Sequence, residues 1–486
     1  MGGDAPAPRW RTANFENVLG TSMQLKLSAD SQSAADSAEA ATMAEIRRLN
    51  GVFSGYDRAS EFSRWSAAQG QPVRVSHDLM EVLSLWDTWR GRTDGALNPS
   101  AEAITRVWKN AEATHRLPAE PELRAAVAAA GEPQWQLDRA SGLATRLNSA
   151  PVVLNSFTKS YIIERAADAA MRVTGVAGVE VNIGGDLVVR GPVADRIGVA
   201  NPFSDAENEA PIAMLNVKDR AVATSGNYRR GFDIAGVHYS HIVDPRTGRT
   251  ADEVVSATVV APKAVDAGAL ATALCVESTD GSRKLAATVP GAEYLIVRKD
   301  GTRIASAGWN SLQAPGARPL AMAAPRPSVP EVWNPAYELT IGVEIPQVQG
   351  FGARRPYVAV WIEDKNRFPV RTLALWFNNP RWLPDLRGWY RSDRLRSMSE
   401  GTEILNSVTS ATRSPGKYTF KWDGKDNTGK PVKPGMYTVL IEAAREHGGY
   451  SLVRREMNLS GQPLQAQAPP EGELGAISID YHKAAR

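Results

Sequence analysis

The chain has 486 residues, more than one hydrophobic core usually organises, so two or three domains are expected. Its 56 basic and 53 acidic residues leave a net charge of only +3, which argues against the one-sided excess of Lys and Arg that a nucleic-acid binder carries. No run approaches the roughly 20 apolar residues that a bilayer crossing needs, and Met1–Pro8 has neither a basic n-region nor an apolar core, so no signal peptide is visible there.

In chain order, residues 31–50 repeat apolar side chains at helical spacing (Ala40, Met43, Ile46, Leu49), and Leu79–Trp89 does the same, so both predict amphipathic helices. A helix over Lys159–Val173 follows from Tyr161 and Arg165, and Ile162 and Ala166, each four apart. Gly178–Ile183 predicts a strand that runs directly into Gly184-Gly185-Asp186, and Arg196–Ala200, Ile212–Val217 and Val255–Val260 add short strands. Strands interleaved with helices indicate an α/β or α+β domain. The single cysteine, Cys275, permits no internal disulfide, and its apolar setting predicts a buried, inert thiol.

Residues 311–330 hold five prolines among small residues and predict a linker. Beyond it the pattern changes to strands at Tyr337–Ile345, Tyr357–Ile362, Thr372–Phe377, Lys417–Lys421 and Met436–Ala443, with scarce helical signals. The remaining residues, 331–486, therefore read as an antiparallel β-sandwich. Of the 13 tryptophans, Trp333, Trp361, Trp376, Trp382, Trp389 and Trp422 crowd into this last third, in keeping with a separate architecture. The acidic spacing in Trp422–Tyr437 is that of a calcium loop, but the flanking helices and terminal Glu are missing, so a turn built on Asp-Gly and Thr-Gly is expected.

Several segments concentrate chemistry. Asn182 and Asp186 bracket Gly184-Gly185, where backbone can approach a ligand closely or simply turn. Ala223–Arg230 offers the hydroxyls of Thr224 and Ser225 beside guanidinium groups, suited to a pyrophosphate or to a surface turn. His241 and Asp244 precede the turn Pro245-Arg246-Thr247-Gly248, which combines an imidazole, a carboxylate and a guanidinium. Lys159 follows the polar run Asn155–Thr158, which is placed to cap the helix, with Ser156 or Thr158 as N-cap. Asp266 and Thr272 could offer oxygen to magnesium, although a six-residue separation turns them apart on a helix.

The run from about residue 14 to 310 resembles the ApbE-like flavin transferases, the FAD:protein FMN transferases. Seven elements carry the resemblance in family order: Val18–Thr21, Phe53–Asp57, Asp94–Pro99, Leu154–Tyr161, Asn182–Asp186, Ala223–Gly226 and His241–Gly248. It implies an α/β (α+β) flavin transferase domain over 12–310; after the 311–330 linker, the all-β, immunoglobulin-like sandwich expected over 331–486 itself resembles a domain of unknown function found fused to such transferases. It further implies binding of FAD, magnesium-assisted cleavage of its pyrophosphate, and transfer of FMN to a Thr or Ser hydroxyl of an acceptor flavoprotein in the bacterial periplasm. On this basis Tyr56, Asn98, Lys159, Asn182, Gly184, Gly185, Thr224, Ser225, Arg246 and Thr247 would contact FAD. His241 would move a proton or orient the phosphate, Asp244 would hold its loop, and Asp266 and Thr272 would hold the metal. The chain departs from the family twice: Ser160 stands where the family places Gly after the loop lysine, and Gly268 stands where it places an aspartate four residues before the threonine. The second departure makes a protein that holds FAD without transferring it the alternative reading.

Overall fold

The computed structural model describes residues 10–204, 206–227, 230–314, 332–347, 355–377, 380–400, 409–410, 412–445 and 449–484. Most of the expected linker, and Met1–Pro8, lie outside them. The chain divides into two compact units, one of residues 1–11, 25–202 and 213–315, the other of residues 12–24, 203–212 and 316–486.

The first unit is organised by a sheet in the order Thr21–Ala29, Val176–Ile183, Asp186–Arg190, Arg220–Gly226, Val254–Ala261, Glu293–Arg298, Arg303–Ala305. From Val176 onward every neighbouring pair is antiparallel. Val254–Ala261 is buried on both faces, which accounts for its Val and Ala content, interrupted only by Ser256 and Thr258. Helices Asn155–Met171 and Ala264–Val276 pack on the sheet and on each other, and Gln32–Phe53 packs against the first of them. Helices gathered on an antiparallel sheet make this unit α+β, one of the two mixed classes expected.

One helix begins earlier than its sequence suggests. Its N-cap is Leu154, which makes no side-chain cap bond, so Ser156 and Thr158 lie inside the first turn and Lys159 in the second. Thr158 turns its hydroxyl back to the Leu154 carbonyl instead of capping. A second, smaller core joins helices Ala101–Ala113 and Glu120–Gly131 to the hairpin Gly231–Ile234/Val237–Ser240 through Ile104, Trp108, Leu123, Phe232, Ile234 and Val243.

The second unit is all-β in its frame, with two sheets. One runs Gly416–Trp422, Tyr337–Ile345, Ile477–Lys483, Leu464–Ala468; the other runs Thr409–Ser410, Pro369–Trp376, Tyr357–Asp364, Gly435–Ala444, Tyr450–Leu459. Strict alternation in Tyr337–Ile345 turns Leu339, Ile341 and Val343 into a core shared with Val360, Val439, Ile441 and Ile479, where Trp333, Trp376 and Trp422 also sit. Tyr357–Asp364 does not alternate because its other face is also covered. Tyr357, Ala359, Trp361 and Leu440 meet Leu383, Leu386 and Trp389 from a 3-10 turn, Pro380–Asp385, and a helix, Arg387–Glu400.

That helix corrects the expectation of a purely antiparallel, nearly helix-free sandwich, as does the parallel pairing of Thr409–Ser410 with Leu375–Trp376. Its sequence is rich in Arg and Ser, with few apolar positions to betray a period. What fixes it is a carboxylate from the sheet: Glu442, with no exposed surface, accepts the N–H groups of Gly388 (2.8 Å) and Trp389 (2.7 Å) at the helix start. The Asp423–Tyr437 stretch is a turn, as expected. The Asp426 carboxylate accepts Thr428 N (2.8 Å), Thr428 Oγ1 (2.7 Å) and Lys430 N (2.9 Å).

Candidate active site

Thr224 and Ser225, which the alternative to a pyrophosphate site put in a surface turn, stand in the strand Arg220–Gly226, between its two antiparallel neighbours. Successive side chains of a strand point to opposite faces, so these two hydroxyls enter different surroundings. Thr224 Oγ1 meets Thr258 Oγ1 of the next strand at 2.9 Å, while its N–H points to Asp186 Oδ1 at 3.3 Å. Asp186 Oδ2 in turn pairs with Lys159 Nζ at 2.9 Å. The turn before Asp186 holds Gly184 and Gly185 at φ of 60° and 96°, a left-handed conformation that glycine adopts without strain. Asn182 Oδ1 accepts the Gly185 N–H at 3.1 Å and fixes that turn. Lys159, Asn182, Gly184, Gly185 and Thr224 are thus brought together around Asp186.

Ser225 faces the other way. Its Oγ lies 3.1 Å from Thr272 Oγ1, which also donates to the Gly268 carbonyl at 3.3 Å, one turn back in helix Ala264–Val276. Three residues on, Cys275 points its thiol at Ala271 O (3.4 Å) and Ser225 O (3.6 Å). Burial pushes that thiol up to about 12, so it is inert at neutral pH, as its apolar setting predicted.

After Asn227 the chain makes the hairpin and arrives at His241–Gly248; Tyr228 and Arg229 lie outside the described residues. The loop closes on itself through Asp244 N to Arg249 O and Gly248 N to Asp244 O, both 2.8 Å. Gly248 has φ 77°, and a Cβ there would come within 3.1 Å of Val127, so the loop lies tightly on the small core. Trp108 Nε1 anchors it by donating to the Gly248 carbonyl at 2.9 Å. Asp244 grips Arg246 through Arg246 N and Nε (both 2.9 Å to Oδ1) and Nη2 (3.1 Å to Oδ2). Arg246 Nη1 reaches Glu277 Oε1 at 2.7 Å, at the C-terminal end of the helix that carries Thr272. Lys159 and Arg246, both expected to contact FAD, are therefore already paired with carboxylates.

His241 is the group with the clearest chemistry. Burial holds its pKa below the ordinary imidazole value, and the Arg230 and His238 charges act in the same direction, against the opposing backbone hydrogen bond. Nδ1 lies 3.1 Å from the Arg230 carbonyl, an oxygen that can only accept, which assigns the proton to Nδ1. The ring is neutral near pH 7 with Nε2 carrying the lone pair, the form a general base requires.

The remaining expected residues fall elsewhere. Asn98 is buried, and its amide donates to Ala130 O (2.9 Å) while its carbonyl accepts Ser100 N–H (2.8 Å), so it braces its own loop. That loop nevertheless abuts the site, since a Cβ on Gly95 would sit 3.8 Å from Arg246 Cγ. Tyr56 is 93% exposed. Thr247 is exposed, with Oγ1 accepting Arg249 N–H at 3.3 Å. Asp266 and Thr272 are not brought together: six helical residues separate them by about 9 Å of rise and roughly 120° of rotation. Asp266 is half-buried, and the charges that face it are Arg92 and Lys263. Among the described residues no three or more His, Cys, Asp or Glu side chains gather as a metal site. The residues present do not fit a carboxylate-bound magnesium beside Thr272. Sequence reasoning missed Thr258 and Glu277; the first is a cross-strand neighbour visible only once register is known, and the second stands alone after a helix.

Several known proteins resemble this chain. The FAD:protein FMN transferase of Vibrio cholerae is 29% identical over 263 residues, covering 52% of this chain and 78% of the relative. That of Klebsiella pneumoniae is 26% identical over 296 residues, covering 58% and 83%. Among solved structures, the ApbE protein of Thermotoga maritima superposes with a TM-score of 0.56 at 27% identity, over 63% of this chain and all of that one. The flavin transferase ApbE of Vibrio cholerae, at 22% identity and a TM-score of 0.52, shares the fold. Residues 338–476 match a family described as "Predicted periplasmic protein (DUF2271)". The ApbE family model matches residues 19–296, more than half of the length, and the chain belongs to that family.

Proposed function

We propose that the first unit is an FAD:protein FMN transferase, binding FAD and moving FMN onto a Thr or Ser hydroxyl of an acceptor protein with release of AMP. The observation that carries the reading is His241: a neutral imidazole whose Nδ1 is held by a backbone carbonyl and whose Nε2 is left to take a proton. The acceptor oxygen bonds to the flavin-side phosphorus, the pyrophosphate P–O bond breaks, and AMP leaves with the electron pair. The hydroxyl proton passes to His241 Nε2.

Gly184 and Gly185 let the backbone approach the ligand, Asn182 holds that turn, and Thr224 and Ser225 supply hydroxyls. Lys159 and Arg246 offset phosphate charge by exchanging a carboxylate contact for a phosphate oxygen, with Asp244 setting the aim of Arg246. Thr247 lines the same loop, and the exposed ring of Tyr56 is free to lie against the isoalloxazine. Magnesium dependence, which the family resemblance implies, finds no support in Asp266 and Thr272, and no step is assigned to the ion. The periplasm is the proposed location, supported by the description of the family matched by 338–476. The two-sheet core of the second unit supports an immunoglobulin-like reading of it.

The test is incubation with FAD and an acceptor bearing a flavinylation hydroxyl, with magnesium and with chelator, followed by mass spectrometry of the acceptor. A second reading, an FAD carrier that does not transfer, is favoured by Gly268; tight FAD binding with no flavin on the acceptor would select it.

A further inference from the structure

The two departures from the family pattern are neighbours in space. A Cβ built on Gly268 falls far inside van der Waals contact with Ser160 Oγ, 3.2 Å from Ser160 Cβ and 3.4 Å from Phe157 Cβ. Those atoms belong to helix Asn155–Met171, which packs directly against helix Ala264–Val276. Ser160 is 1% exposed, and among the described residues its hydroxyl has no hydrogen-bond partner. A buried hydroxyl without a partner is costly, so nothing in the local bonding accounts for its presence. Phe157 Cβ at 3.4 Å is in ordinary contact, and its ring, fully buried and 4.6 Å from that of Trp86, holds it there.

We propose that Ser160 and Gly268 are a coupled exchange, in which the serine hydroxyl fills the space of a side chain at 268 and thereby closes a divalent-cation position beside Thr272. The inference concerns the same site as the proposed transfer reaction but does not need that reaction to occur. Position 268 lies one helical turn before Thr272 on the same face, and Thr272 Oγ1 already donates to the Gly268 carbonyl. A carboxylate at 268 would therefore point toward Thr272 and Ser225, whereas Asp266 lies on another face. The oxygens left there are neutral hydroxyls and a carbonyl, without the anionic ligand that a hard divalent cation normally keeps.

The same geometry makes the exchange directional. An aspartate at 268 forces the Ser160 hydroxyl to turn away and the facing helix to give by a few tenths of an ångström, and glycine at 160 alone opens space without adding a ligand. The test uses the full chain and Mn2+ alone, followed by titration calorimetry and by thermal melting, in wild type, Gly268→Asp, Ser160→Gly and the double variant. Gly268→Asp is expected to melt below wild type or to fail to fold. The double variant is expected to recover that loss and to bind Mn2+ at least ~tenfold more tightly than wild type and than Ser160→Gly.

A Gly268→Asp protein as stable as wild type would overturn the steric coupling. Wild type binding Mn2+ as tightly as the double variant, or a double variant that does not fold or gains no affinity, would overturn the closed cation position. FAD binding by wild type, followed separately by flavin fluorescence, reports on the transferase reading alone, so that reading can fail while the titration still decides this one.

Discussion

Replacing His241 by Asn removes Nε2 as a proton acceptor while leaving a polar side chain of similar reach. In wild type, burial lowers the imidazole pKa below the ordinary 6.5, so at pH 7.5 more than roughly nine-tenths of the protein carries the neutral ring. Nearly the whole population is competent as a base, and the full contribution of general-base catalysis is lost in the variant. That contribution is typically ~10²–10⁴ in rate, or about 3–5 kcal/mol of barrier. The assay is the initial rate of flavin attachment to an acceptor at saturating FAD, read by in-gel flavin fluorescence, between pH 5 and 8.5. Wild-type rate is expected to rise with pH through a midpoint below 6.5 and then level. The Asn variant should be slow throughout and lack that step, with FAD affinity changed little. A variant within threefold of wild type, or one that keeps the same pH step, would refute the role of His241.

Other consequences follow from buried charges. Glu442→Ala orphans two backbone N–H groups at the start of helix Arg387–Glu400, at about 1–3 kcal/mol each, so denaturant melts should show a loss of roughly 3–5 kcal/mol in the second unit, with Glu442→Gln losing less; an unchanged midpoint would refute the capping account. Glu180, fully buried between Lys26 and Asp195, is pushed up to about 8, first by burial and then by Asp195, against the opposing Lys26 charge. The folded state therefore holds a proton that the unfolded chain releases above its ordinary value of 4.5, so this group contributes a stability that declines as pH rises from about 4.5 to about 8. Glu180→Gln should flatten that part of the stability profile relative to wild type. Asp244→Asn should leave Arg246 tethered mainly by Glu277 and raise KM for FAD more than it lowers kcat; an unchanged KM would show that the aim of Arg246 is not set by Asp244.

Much of the fold was legible because its elements obey simple periods. Tyr337–Ile345 alternates strictly, and its bounds in the sequence pattern and in the structure coincide, since one face of that sheet packs inward and the other does not. Gln32–Phe53 and His77–Arg92 carry their apolar stripe at helical spacing and were placed within a few residues. Helix Arg387–Glu400 was not legible, because its cap is a carboxylate more than 50 positions further along the chain and half of its own residues are Arg or Ser. The site divides in the same way. The close-set motifs around Gly184 and around His241 announce themselves, whereas Glu277 and Thr258 become partners only through helix ends and strand register. Ser160 and Gly268 were each visible as departures from a pattern; their contact required the packing of two helices separated by about 100 residues of sequence.

Transfer of FMN from FAD to a protein hydroxyl is the activity proposed for this chain. The most direct measurement is intact-mass analysis of an acceptor protein after incubation with the full chain and FAD, with AMP quantified in the same sample. The expected result is an acceptor heavier by FMN less one water, modified at a single Thr or Ser, with one AMP formed for each flavin attached. Stoichiometric FAD binding with an unmodified acceptor and no AMP, with or without divalent cation, would contradict it.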